Sequence, residues 1–480
     1  MTLVKNPITP NTRRPGLDDL TRSGQSFWQQ TRIRLVVGGM IIALCAFLAG
    51  GIVANAYSTA YTLFQTIAEF YAIKVDAAEG ALQDIACTSQ ATADYTALTS
   101  DTPLFEAAVN DIFRNFNAYR AELFILQSNL QSQAERTAFT VADTYTYSRF
   151  WRHVSNLIDG RSDLDLARRE YLSADNHLRT RIIPALEALE AENFSLMAAA
   201  GEQAGGTLGA QIFLVALGAG GLLVLLTLLS FWLRGKVRRY VTPGIDGALV
   251  LAMLVVMLIG LIQLPRQFSR MTQMAYYNIS SSSRVLVAGN LANRAESSAL
   301  IDLNRAETWY AQFDAGVNEM ELRLCGLQDC LQQAFVSSSG QPNTSLIEQV
   351  RRSTALQDQD RPLISSVETR QELQALEAAR IAFLDYLTVH DQLVTYIESS
   401  QIDEAITLST GFEEGESEAL YATFTQQIET VQAFNRETFD AIWNAQRTTL
   451  PTQQVLYSVL AFGAIIVLTG FGVSHRFREL

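Results

Sequence analysis

The sequence predicts an all-α membrane protein, with four transmembrane helices and two extracytoplasmic helical bundles of the four-helix type, arranged as an internal duplication. Three observations predict this fold class. The chain has 480 residues, of which 48% are hydrophobic and only 18% are charged. Four uncharged segments are each long enough to cross a bilayer, which takes about 20 apolar residues. The two long segments between them have helical periodicity and lack the alternating pattern of strands.

The four candidate spans divide the chain into nine parts. In chain order these are an N-terminal arm (1–34), span one (35–56), the first long segment (57–206), span two (207–233), a basic loop (234–246), span three (247–264), the second long segment (265–450), span four (451–473) and a tail (474–480).

The orientation in the membrane follows from the basic residues. The arm has six Lys or Arg residues against two Asp, and the loop has four basic residues with no acid between them: Arg234, Lys236, Arg238 and Arg239. Cytoplasmic flanks keep such an excess, so both termini and the loop are expected inside a bacterial cytoplasmic membrane. The long segments are therefore acidic, with 24 Lys and Arg against 45 Asp and Glu, and the net charge of −13 for the whole chain argues against nucleic acid as a partner.

Two stretches in equivalent order suggest the duplication. The stretch AEGALQDI begins at Ala78 after span one, and AESSALIDL begins at Ala295 after span three. His153 and His390 also occur at similar places in the two long segments. Repetition of this kind predicts two copies of one plan.

The long segments are expected to be helical with a few breaks. Proline, glycine and aspartate predict these breaks, and Pro184 is expected to kink or interrupt the helix that leads into span two. The predicted breaks are 99–103, 159–163, 337–344 and 411–415.

No catalytic motif is present in the sequence. It contains no HExxH, no GxSxG and no glycine-rich phosphate loop. The cytoplasmic parts are too short for a kinase or cyclase domain. The spans carry no charge beyond Asp246 at an edge, which disfavours transport. We therefore predict a protein that is not an enzyme, with no cofactor and no metal site.

Five residues are candidates for a signal or ligand site. Glu79, Arg294 and Glu296 could bind a polar ligand or a partner, or they could belong to a solvated helix face. His153 and His390 fall on apolar stripes, where a histidine is either a hydrogen-bonded core residue or a pH-sensitive group.

The four cysteines divide by compartment. Cys45 lies in span one and is expected to be a packing residue. Cys325 and Cys330 face an oxidising space, which favours a disulfide. On a continuous helix they would be more than about 7 Å apart, so the helix must break, and Gly326 permits this. Cys87 is then either free or paired with another chain.

The basic loop has two interpretations. Arg234, Lys236, Arg238 and Arg239 could simply set the topology and contact anionic lipid. They could also form a docking surface for an acidic cytosolic protein.

The bundles between spans resemble the four-helix ligand-binding domains of bacterial chemoreceptors. A closer resemblance is to the four-span membrane protein encoded in actinobacterial operons beside a glutamine-binding lipoprotein and protein kinase G. It is carried by NRAESSAL from Asn293, by Tyr386 with His390, and by DEAITLSTG from Asp403. It covers most of the second half and the overall plan. The resemblance implies a relay from an extracytoplasmic binding protein to a cytosolic kinase.

Two functions are consistent with these observations. The first is a sensor or signal relay that couples an extracytoplasmic ligand or solute-binding protein to a cytosolic partner through continuous helices. The second is a structural or accessory subunit of a larger membrane or envelope complex. A homo-oligomer is compatible with either function.

Overall fold

The regular structure of the described chain is helical. The computed structural model describes residues 50–98, 103–160, 163–234, 241–327, 330–337, 340–354, 362–367, 369–413 and 415–479, with positions 40, 44, 47 and 48. Within these residues no strand occurs, apart from an isolated bridge between Val336 and Pro342. The predicted all-α class is confirmed for this part of the chain.

The first long segment contains four consecutive helical stretches. They are α1 (Ala72–Ala97), α2 (Pro103–Ser128), α3 with α4 (Gln133–Tyr145 and Trp151–Asp159), and α5 with α6 (Leu164–His177 and Ile183–Arg234). A π-helical turn joins the members of each pair, at Thr146–Phe150 and at Leu178–Ile182. The predicted breaks at 99–103 and 159–163 match the helix ends.

The second long segment contains a similar series of helices and two additional short helices. The helices are α7 (Val241–Ser269), α8 (Tyr276–Ile301), α9 (Ala306–Cys325), α10 (Thr344–Thr354), α11 (Leu363–Ser366), α12 (Arg370–Glu398), α13 (Ile402–Thr410) and α14 (Ser417–Glu479). A π-helical turn at Arg270–Ala275 joins α7 to α8. The short helices α10 and α11, which lie between α9 and α12, have no counterpart in the first long segment. There only four residues separate α2 from α3.

Side-chain caps fix several helix starts. Ser132 accepts a hydrogen bond from the Glu135 backbone N–H at 3.0 Å, and Glu135 accepts one from the Ser132 N–H at 2.7 Å. This reciprocal capping box satisfies two otherwise unpaired donors at the start of α3. Asp163 and Thr369 cap α5 and α12 in the simpler way.

Of the two predicted effects of Pro184, a kink or an interruption of the helix, the interruption is wrong. The helix continues through this residue, and the irregularity is the π-helical turn directly before it. In that turn the Ile183 N–H bonds to the Leu178 carbonyl, five residues back. Proline has no N–H and its ring disturbs the preceding turn, and a widened turn accommodates it without ending the helix.

Each long segment has its own apolar core. The first core includes Ile112, Tyr119 and Leu186, and the second includes Phe335, Phe383 and Phe424. Helix α1 packs against α2 and also against α8, while α8 packs against α9. The two long segments are therefore joined through α1 and α8.

The chain divides into two compact units. One contains Met1–Tyr61, Thr207–Pro265 and Thr448–Leu480, and the other contains Thr62–Gly206 and Arg266–Arg447. In the first unit the Tyr57 hydroxyl donates to the Met257 carbonyl at 3.3 Å, and its ring lies 5.3 Å from that of Tyr457. Many large apolar side chains of this unit are exposed, among them Met40, Leu44, Phe47, Phe213, Leu217, Val224, Val256, Ile259, Val455 and Val459.

One helix in the described part of the chain is long and apolar enough to cross a membrane. It runs from Leu164 to Leu225 and overlaps predicted span two. This supports membrane association. Spans three and four coincide with parts of α7 and α14, whereas much of span one, including Cys45, lies outside the described residues.

Candidate functional site

The contact between α1 and α8 is parallel and keeps one register along its length. Three hydrogen bonds define this register. They are Tyr276 Oη to the Ala72 carbonyl (2.8 Å), Asn290 Nδ2 to Cys87 Sγ (3.2 Å) and Ser297 Oγ to Asp94 Oδ1 (2.6 Å). Small side chains such as Ala77, Ala81 and Ala292 are buried on the two helices.

A group of three carboxyls, which we call the acid cluster, lies at the C-terminal end of this contact. It consists of Asp94, Glu296 and Glu418. Glu418 accepts hydrogen bonds from Asn293 at 2.7 Å and from Gln90 at 2.8 Å. The cluster thus contains residues of α1, α8 and α14, which come from both long segments.

Glu296 is the most deeply buried member of the acid cluster, with 0% of its surface exposed. One of its oxygens accepts from the Ser417 hydroxyl at 2.6 Å, and the other lies 3.1 Å from His390 Nδ1. The His390 ring stacks on Phe313 with 3.5 Å between ring centroids. His390 is thus a hydrogen-bonded core residue, as one of its two sequence interpretations predicted.

Two members of the acid cluster have raised pKa values. Burial raises the pKa of Glu418 to about 7; hydrogen bonds from Asn293 and Gln90 lower this pKa, and the neighbouring Glu296 raises it. Burial and the proximity of Glu418 also raise the pKa of Asp94 well above its ordinary value. Carboxyls that share a buried site cannot all ionise cheaply, so the charge of this contact changes with pH.

A second buried carboxyl lies nearer the N-terminal end of α1. Glu79 is 3% exposed, and its Oε1 atom has no hydrogen-bond partner. Burial and the nearby Glu190 raise the pKa of Glu79 well above its ordinary value. Arg284 of α8 donates to Glu190 at 2.7 Å. Contacts between the two segments therefore include a buried carboxyl with a raised pKa and an ion pair between Arg284 and Glu190.

Arg294 joins α8 to α5 instead of binding Glu296. Its guanidinium forms a salt bridge with Asp175, in which both side chains are almost fully buried. Asp175 also accepts from Arg179 at 2.8 Å, and Arg294 donates to Gln312 at 3.3 Å. This pair is an ionic link between the two segments.

The predicted candidates do not form one site. Glu79 lies 18 residues before the end of α1, whereas Glu296 lies five residues before the end of α8. The resemblance between their local sequences therefore does not place them at equivalent positions along these helices. The interpretation of Glu79, Arg294 and Glu296 as a solvated face is wrong, because each is at most 3% exposed.

His153 has different surroundings from His390. Its Nδ1 atom lies 2.7 Å from Glu170, and its ring stacks on His177 at 5.6 Å. Both His153 and Glu170 remain partly exposed. Burial and the neighbouring His153, Arg149, Arg152 and Arg181 lower the pKa of His177.

The cysteines follow the predicted pairing. Cys325 and Cys330 form a disulfide with Cα atoms 6.0 Å apart. Helix α9 ends at Cys325, and Gly326 adopts the left-handed conformation with φ 70°. Cys87 is free within the chain, and burial raises its pKa to about 12.

Sequence reasoning missed Asp94 and Glu418 as members of the site. No local pattern marks either residue, because their hydrogen-bond partners lie at least 125 residues away in sequence. For the proposed docking residues, the side chain of Arg234 and all of Lys236, Arg238 and Arg239 lie outside the described part.

No group of three or more histidine, cysteine, aspartate or glutamate residues that could hold a metal ion occurs in the described ranges. Comparisons with protein-family models, with curated proteins and with solved structures gave no match for this chain.

Proposed function

We propose that the chain is a non-enzymatic signal relay of a bacterial cytoplasmic membrane, with four spans, two external helical bundles and both termini inside. The observation that carries the proposal is the buried, acid-rich contact between α1 and α8. In the proposed topology these helices follow spans one and three. Its buried carboxyls give this contact an energy that depends on protonation, and a relay needs an element with more than one accessible arrangement.

Helix continuity supports the proposal. α6 and α14 each continue without a break from a long segment into a predicted span, and α7 connects to α8 through one π-helical turn. Small shifts of packed helices are a common form of signal transmission. In this scheme a change in the α1–α8 contact alters the helices that lead to the cytoplasmic face.

The proposed input is an extracytoplasmic ligand or a solute-binding protein. The proposed output is an acidic cytosolic protein, such as a kinase, that docks on Arg234, Lys236, Arg238 and Arg239. The resemblance to the four-span protein of the kinase operons supports these two partner classes.

A disulfide lock between the two segments tests the relay. Asn290 Nδ2 lies 3.2 Å from the free Cys87 Sγ, so Asn290→Cys places a second thiol beside it. Oxidation would then fix α1 to α8. The measurement is hydrogen exchange of the intact protein in nanodiscs, read at peptides from 207–264 and 448–479.

A relay predicts that the lock changes exchange in those distant peptides. The matched control is Asn290→Ser under the same oxidant, which removes the amide but cannot form the bond. If the locked protein and the control differ only around residues 87 and 290, the contact is a passive brace. The structural-subunit function would then replace the relay.

A further inference from the structure

A small polar cavity lies between the start of α8, the connection from α11 to α12, and α14. Its volume is about 180 Å³. Arg270 and Glu437 are exposed at its mouth, and Phe434 forms part of the wall. We call it the Glu372 cavity after the buried carboxyl that lines it.

A directed chain of hydrogen bonds runs along this cavity. The Ser366 hydroxyl donates to Asn278 Oδ1 at 2.5 Å, and Asn278 Nδ2 donates to Asn435 Oδ1 at 3.0 Å. Asn435 Nδ2 then donates to Glu372 Oε1 at 2.8 Å. Asn278, Asn435 and Glu372 are 2%, 6% and 4% exposed. The chain of hydrogen bonds therefore ends on the Glu372 carboxyl, which accepts from the Asn435 amide and lines the cavity.

We propose that the Glu372 cavity binds a small molecule carrying a protonated amine, with the ammonium group against Glu372. A carboxylate accepts several hydrogen bonds, and an ammonium group supplies three donors. The hydroxyls of Thr369 and Thr438 line the same cavity and suit a second polar group on the ligand. Phe434 also lines the cavity, and aromatic side chains are common neighbours of bound cations.

The size and the side-chain types restrict the ligand class. The small volume favours a small molecule over a peptide or a nucleotide. The Glu372 carboxyl accepts from the Asn435 amide, and the described residues contain no carboxylate-rich group suited to a metal ion. An organic cation therefore fits this cavity better than a metal.

Part of the cavity wall is a π-helical turn instead of regular α-helix. Arg270 and Met274 belong to the π-helical turn at Arg270–Ala275. Single π-helical turns occur often at functional sites, because the extra residue widens the helix and redirects side chains. The binding proposal holds whether or not the two segments relay a signal.

Calorimetric titration of the intact protein in nanodiscs tests the proposal. The probes are ethylammonium chloride and ethanolamine, with sodium acetate as the anionic comparison. We expect both amines to bind with Kd between about 0.1 and 5 mM, as suits ligands of three or four non-hydrogen atoms, and acetate not to bind. Absence of binding by both amines at about 10 mM, or equal binding of acetate, overturns the proposal.

Three variants locate the binding. Glu372→Gln removes the charge, and Thr438→Met fills the cavity; each should weaken amine binding by at least about tenfold. Thr430→Met is the matched control, since Thr430 and Thr438 both lie on α14 and both bond to the carbonyl four residues back. If Glu372→Gln does not fold, Thr438→Met decides. Binding that is unchanged by Thr438→Met, or lost equally in the control, overturns the assignment.

Discussion

The Lys74–Glu135 pair and the acid cluster both contain buried carboxyls, but the groups that bond to these carboxyls differ in charge. Lys74 and Glu135 are 1% and 0% exposed and form a salt bridge within the first long segment. Burial raises the pKa of Glu135, but hydrogen bonds from Lys74 and from the Ser132 and Gln131 backbones outweigh this and lower it overall. In the acid cluster the donors to Glu418 are neutral amides.

The comparison shows that an opposite full charge decides whether the pKa of a buried carboxyl is lowered or raised. A carboxylate bonded to an ammonium group and to backbone N–H groups stays ionised over the physiological pH range. A carboxyl bonded to amides keeps its proton until about neutral pH. The first region therefore joins α1 to α3 through an ion pair, whereas the second makes the contact between the two segments sensitive to pH.

The largest expected loss of stability comes from breaking the buried salt bridge between Lys74 and Glu135. Lys74→Met leaves Glu135 buried without its cation and should lower the free energy of unfolding by about 3–5 kcal/mol. Denaturant unfolding of the intact protein in detergent, followed by circular dichroism, measures this.

The matched control is the double variant Lys74→Met with Glu135→Gln. It removes both charges and should be more stable than the single variant, since replacement of a whole buried pair is far less costly. A double variant as unstable as the single one would show that the ionic contact is not the cause.

A smaller effect is expected from Glu418→Gln, and it depends on pH. The folded-state pKa of Glu418 is raised from 4.5 to about 7. Between these values the folded protein holds a proton that the unfolded chain has lost, so stability is greatest below pH 4.5 and falls as the pH rises to about 7. In the wild type this decrease in the free energy of unfolding amounts to about 3 kcal/mol. The glutamine variant does not titrate and therefore lacks the decrease.

Unfolding of both proteins at pH 4.5, 6 and 8 measures the difference. The wild type should become less stable relative to Glu418→Gln across this range. Parallel pH profiles for the two proteins would contradict a raised pKa at Glu418.

The smallest effect is expected at the partly exposed ionic link between the two segments. Arg168 is 37% exposed and pairs with Asp302, which also accepts from Arg305 at 2.6 Å. Arg168→Gln should cost less than about 1 kcal/mol in unfolding free energy, because Arg305 remains and solvent screens the pair. Arg294→Gln, at the buried link to Asp175, is the comparison and should cost more. Equal losses would show that burial does not decide the strength of these links.

Local chemistry made several features predictable. The pairing of Cys325 with Cys330 required a helix end between them, and Gly326 supplied the conformation that ends α9. His390 fell on an apolar stripe of α12, and it is buried there. Such features depend on residues close together in sequence.

The burial of Glu296 could not be predicted in the same way. Its partners His390 and Ser417 lie 94 and 121 residues further along the chain. Almost every residue from Tyr276 to Leu300 is buried, so α8 has no solvent-facing side and no amphipathic period. Its serines, asparagines and charged residues therefore resemble those of an exposed helix, although tertiary contacts surround them.

The constant register of α1 and α8 has a mechanical consequence. Hydrogen bonds at Ala72, Cys87 and Asp94 all follow the same alignment over 22 residues. Sliding one helix past the other by a single turn, about 5.4 Å, would separate the bonded groups at all three levels together. The contact thus resists shear as a unit, so movement passing through it must take the form of rotation or tilting about the shared axis.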